Sequence, residues 1–78
     1  MVSAALPPEI RLGNDICRAF HHLPHDAAAA AVAGHLTRFW DPRMRRAITE
    51  RVRDGHPDVD PLLAQAVNAH LEDDRTPA

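Results

Sequence analysis

Proline limits what this chain can fold into more than any other feature. Seven prolines fall at positions 7, 8, 24, 42, 57, 61 and 77 of 78 residues. Each fixes φ and lacks a backbone donor, so a helix tolerates it only near its start and a central strand hardly at all. Two follow aspartate, in Asp41-Pro42 and Asp60-Pro61. That pairing places a capping side chain directly before the residue best suited to the first helical position. Between the prolines nothing alternates with period two, and β-branched residues are scattered. The pattern predicts an all-α chain: a small bundle of four short helices over about 8–22, 26–40, 42–54 and 61–72, with no sheet.

The ends and faces of these helices follow from local chemistry. In the first, Pro7, Pro8 and Glu9 suit an N-terminal turn, and Ile10, Cys17 and Phe20, with Gly13 or Ile16, share a face. Glycine at 13 costs about 1 kcal/mol against alanine, so a close neighbour is expected there. In the second, Asp26 is the expected cap, and Ala29, Val32, Ala33, Leu36 and Trp40 form a face of mostly small residues. In the third, Met44, Ala47, Ile48 and Val52 oppose Arg43, Arg46, Glu50 and Arg53, and Gly55 is the expected stop. The fourth is expected to present Leu62 or Leu63, Ala66, Val67, His70 and Leu71. A flexible N-terminus over 1–7, one domain over 8–72 and a disordered tail over 73–78 complete the expected organisation.

Composition removes several function classes. A domain of this size buries only roughly 60% of its extended surface, so a partner or self-association would supply stability it lacks alone. The single cysteine, Cys17, excludes an internal disulfide and a four-cysteine metal site. On the apolar face of the first helix it reads as a buried, inert thiol. The three glycines are isolated, so there is no glycine-rich phosphate loop, and no nucleophile motif surrounds Thr37 or Thr49. His21 and His25 stand four apart near Cys17, but Pro24 breaks the helix that would converge them on a metal. The expected catalytic, cofactor and metal residues are therefore none. No run reaches the length of a membrane span and no signal-peptide pattern opens the chain, so the expected location is cytoplasmic.

Chemistry is concentrated in Arg38-Phe39-Trp40-Asp41-Pro42-Arg43-Met44-Arg45-Arg46, which holds the only tryptophan. Between 38 and 53, six arginines face Asp41 and Glu50, a local excess of +4; the net charge of −2 leaves −6 for the remainder. Three readings compete. Phe39 and Trp40 plug the corner between two helices beneath a solvated arginine face. Alternatively, the segment is a protein-binding surface, since Trp, Met and Arg enrich at interface centres. Or the third helix is the recognition helix of a small nucleic-acid-binding or homodimeric regulatory protein, against which the overall acidity counts.

The stretch His35-Leu36-Thr37-Arg38-Phe39-Trp40-Asp41-Pro42-Arg43-Met44-Arg45 resembles the signature of the delta subunit of NAD-dependent, molybdenum-containing formate dehydrogenase. Leu12-Gly13-Asn14-Asp15-Ile16 is similar to that family's Ala-Asn-Gln-Ile stretch, with Asp15 in place of Gln, and Val59-Asp60-Pro61-Leu62 is similar to the segment opening its last helix. The resemblance covers about residues 10–71. It implies a non-catalytic accessory subunit that binds the large molybdenum subunit and supports assembly, stability or cofactor maturation. Bis-molybdopterin guanine dinucleotide, iron–sulfur clusters, FMN and NAD would belong to partner subunits, and none to this chain. On this reading residues 38–46 are the partner-binding segment, with Phe39, Trp40 and Met44 as anchors. Arg38, Arg43, Arg45 and Arg46 would meet carboxylates or cofactor phosphates.

Overall fold

The computed structural model describes residues 6–71, and the expected tail over 73–78 lies outside them. Four helices appear where the prolines place them: α1 (Pro8–Phe20), α2 (His25–Phe39), α3 (Pro42–Arg53) and α4 (Pro61–Ala66), the last running on into a π-helical turn, Val67–Leu71. The described residues contain no strand. Leu6, inside the segment expected to be flexible, packs against the core.

Helix ends follow the caps with two differences from expectation. Asp41 and Asp60 both cap as the sequence predicts: Asp41 Oδ1 accepts from the Met44 amide at 2.9 Å and Asp60 Oδ1 from the Leu62 amide at 2.8 Å. Gly55 adopts φ +74° after α3, and the Gly55 and His56 amides close back onto the Val52 and Arg51 carbonyls at 3.0 and 3.1 Å. That is the Schellman arrangement, which glycine enters without a Cβ penalty. Asp26, however, does not cap α2. Pro24 occupies the cap position in extended geometry, with no side-chain bond. Asp26 is the second residue of α2, within its first turn, and its Oδ1 accepts from Gln65 Nε2 at 3.2 Å. The first helix stops at Phe20 rather than 22: Pro24 disfavours helical geometry at Leu23 and has no amide to continue the ladder, and the His21 and Leu23 amides close short turns onto the Arg18 and Phe20 carbonyls instead.

The core is assembled around α2. Ala28, Ala29, Val32, Ala33 and Leu36 are all buried, and this small-residue face lets α4 approach with Leu62, Leu63, Ala66 and Val67. From α1 come Ile10, Cys17 and the backbone of Gly13; from α3, Ile48 and Thr49. The expected close neighbour of Gly13 is Leu63, whose Cδ2 would lie 2.6 Å from a Cβ at that position. Thr49 is buried because its hydroxyl donates to the Arg45 carbonyl at 2.8 Å. His70 departs from expectation and is exposed. The wider π turn carries Leu71 back under Val67 and rotates His70 outward.

Candidate functional site

The arginine–aromatic segment forms the corner between α2 and α3, and its residues divide into two sets. One set builds the corner. Trp40 leaves α2 in extended geometry and is 8% exposed, so its indole is part of the core. Asp41 caps α3, Pro42 is its first residue, and Met44 packs half-buried against the core. Arg45 turns back beneath the corner: one guanidinium nitrogen, Nη1, donates to the Trp40 carbonyl and to the Thr37 carbonyl, the latter at 3.2 Å. These carbonyls close α2, where a cation also complements the helix dipole.

The second set faces outward. Phe39 is 66% exposed, far more than any other large hydrophobic residue described. Its ring leans on His35 with centroids 4.7 Å apart and planes tilted by 47°. Arg38, Arg43 and Arg46 are exposed and have no ion-pair partner among the described residues. The structure therefore brings the expected anchors together but points them differently. Trp40 and Met44 look inward and Phe39 outward, while Arg45 joins the backbone of its own chain.

The +4 excess thins for the same reason. Arg51 leaves the surface cluster to pair with Glu9, Nε to Oε2 at 2.9 Å, linking α3 to the first turn of α1. That hydrogen bond holds the Glu9 carboxyl below its ordinary range, against a smaller opposing effect of burial. The exposed cationic face is then Arg43, Arg46 and Arg53 on α3, with Arg38 beside it.

Elsewhere the polar groups tie the fold. Asn14 was singled out in sequence only as part of the resemblance; in the structure it is a clamp. Its Nδ2 donates to the Asp58 carbonyl at 2.8 Å and its Oδ1 accepts from the Asp60 amide at 2.9 Å. The loop before α4 is thereby held to α1. His21 Nε2 lies 3.2 Å from Asp60 Oδ2 rather than beside His25 and Cys17. Cys17 is fully buried, and its thiol is pushed up to about 12, first by burial and then by the Asp60 charge. Among the described residues no three His, Cys, Asp or Glu side chains gather as a metal-ligand set. Nor is any helix among them long and apolar enough to cross a membrane.

The chain matches the family described as the NADH-dependent formate dehydrogenase delta subunit over residues 10–67. The matched stretch covers most of the chain and includes the Gly13–Leu63 contact, the Asn14 clamp and the whole corner, so the chain belongs to that family. No curated protein and no solved structure matches it.

Proposed function

We propose that this formate dehydrogenase delta subunit is a non-catalytic, cytoplasmic accessory chain. It binds the large molybdenum-containing subunit and supports assembly, stability or cofactor maturation of the complex. The observation that carries this reading is the outward half of the corner. Phe39 stands exposed at the family's signature, in the same segment as Arg38, Arg43 and Arg46, which have no ion-pair partner among the described residues. Such a surface costs solubility in a lone chain and gains meaning against a partner.

The chain's own chemistry supports a subunit without a cofactor. One buried thiol with a raised pKa cannot supply the four cysteines of an iron–sulfur cluster. Bis-molybdopterin guanine dinucleotide, the clusters, FMN and NAD are assigned to the partner subunits.

The test is affinity purification of the tagged chain from its native cells grown with formate and molybdate. The expected result is recovery of the large subunit together with formate-dependent NAD reduction. A second preparation carrying Arg43→Glu and Arg46→Glu should recover less of it, with unchanged helicity. Both residues are exposed and have no ion-pair partner among the described residues, so this variant leaves the corner intact, which a change at Arg45 would not. Recovery of the chain alone, shifting random duplex DNA with steep salt dependence, would overturn the proposal in favour of a nucleic-acid-binding protein.

A further inference from the structure

The face between α1 and α2 has a shape that the fold itself does not require. A groove of 460 Å³ runs between the two helices, lined by Leu12, Ile16, Ala19, Phe20, His35 and the edge of Trp40. A second hollow of 340 Å³ shares Phe20 and His35 with it and continues along α2 over Ala30, Ala31 and Gly34 to Arg38 and Phe39. The two form one continuous, mostly apolar trough. Leu12, 41% exposed, stands at one end and Phe39, 66% exposed, at the other.

Gly34 sits in the floor of this trough, in the interior of α2. Glycine is the poorest helix former after proline. Gly13 is explained by Leu63, but a Cβ at Gly34 would meet nothing within 4 Å. Among the described residues no packing contact gives a reason for glycine there, and the space beside it is open.

The charges at the rim say what kind of occupant fits. Asp15, at the Leu12 end, is paired to Arg18 at 3.4 Å. Arg38, at the Phe39 end, has no carboxylate partner among the described residues. Among the described residues, the rim therefore carries unbalanced positive charge beside an exposed aromatic ring. A second copy docked about a two-fold axis at Phe39 would set Arg38 against Arg38, because such an interface brings each patch onto itself.

We infer that the α1–α2 trough receives an apolar segment of another subunit of the formate dehydrogenase complex, flanked by a carboxylate that meets Arg38. This rests on the accessory-subunit reading and deepens it: the docking surface is the α1–α2 face, with Phe39 shared between it and the corner. The trough alone is small beside the roughly 800 Å² per partner of a stable interface. The contact therefore extends from Phe39 onto the arginines that open α3.

Two variants test it, each made in the full-length tagged chain and purified from native cells. Gly34→Leu fills the floor with a better helix former, so the isolated chain melts at or above the wild-type temperature. Phe39→Ser removes an exposed ring without opening the core. The expected result is at least a tenfold loss of co-purified formate dehydrogenase subunits for both variants, with wild-type circular dichroism. If wild type and variants retain the complex equally, the trough is not the docking face, and the accessory-subunit reading stands. If even the wild-type chain recovers no other subunit, that reading fails and the named occupant with it. Should the isolated wild type sediment as a dimer that both variants convert to monomer while keeping the complex, the occupant is a second copy and the inference is overturned.

Discussion

Arg43 and Arg45 are two positions apart on α3, yet their side chains serve different ends. Arg43 projects into solvent, whereas Arg45 reaches under the corner to two carbonyls that α2 leaves open. Charged donors to otherwise unsatisfied carbonyls are worth more than neutral ones, and a cation at a helix C-terminus adds to that. Arg45→Gln is expected to destabilise the chain by about 1–2 kcal/mol, while Arg43→Gln stays within about 0.5 kcal/mol of wild type. Urea midpoints at constant slope measure both. Equal midpoints would mean that Arg45 contributes nothing to the corner and is free for a partner. Spacing already sets Arg45 off the Arg43, Arg46 and Arg53 side, since residues two apart on a helix do not face each other. It does not say whether a long, flexible side chain then folds back onto backbone. Phe39 and Trp40 are separated by spacing in the same way: Trp40 lies four residues after Leu36 on the predicted face of α2 and is buried, whereas Phe39 falls off that face and is exposed.

At the level of elements, α1 and α4 meet where Gly13 lets the Leu63 side chain touch backbone. Adding a single methyl there sets two effects against each other. Alanine gains about 1 kcal/mol of helix propensity, but its Cβ would fall 2.6 Å from a Leu63 methyl that is fully buried and has little room to move. Overpacking of this kind costs about 1–3 kcal/mol. Gly13→Ala is therefore expected to lower stability by about 1 kcal/mol net, read by thermal and urea unfolding. A stabilised variant would show that Leu63 can change rotamer freely. The glycine was legible as a point of close approach because a costly residue in a helix needs a reason, but its partner was not. The same holds for the elements generally. Four helices, the Asp41 and Asp60 caps and the Gly55 stop depend on neighbours in sequence and were legible. The failure of Asp26 to cap shows that Pro24, by fixing the chain's approach two residues earlier, outranks a good capping side chain.

For the whole molecule, what sequence could not show is the set of polar ties between distant segments. Asn14 to the loop before α4 spans 44 and 46 residues, and Glu9 to Arg51 spans 42. No period or cap announces such pairs, because their partners meet only after the helices have packed. The Glu9–Arg51 pair has a consequence for pH. Its hydrogen bond holds the Glu9 carboxyl below the ordinary range, so the folded state binds that proton less tightly than the unfolded chain does. The resulting stability is present above the unfolded carboxylate pKa and is lost as pH falls through the folded one. Arg51 is 42% exposed, which screens the pair and keeps its worth to about 0.5–1 kcal/mol. Glu9→Gln should therefore unfold at lower urea than wild type at pH 7, and the difference should close as pH drops below about 4. Glu9 also sits in the first turn of α1, where its charge favours the helix dipole, so protonation removes both effects together. Arg51→Gln separates them. If the Glu9→Gln penalty persists unchanged in that background, the dipole rather than the tie between α1 and α3 accounts for the pH dependence. If the penalty falls to near zero, the pair joining the first helix to the third is its source.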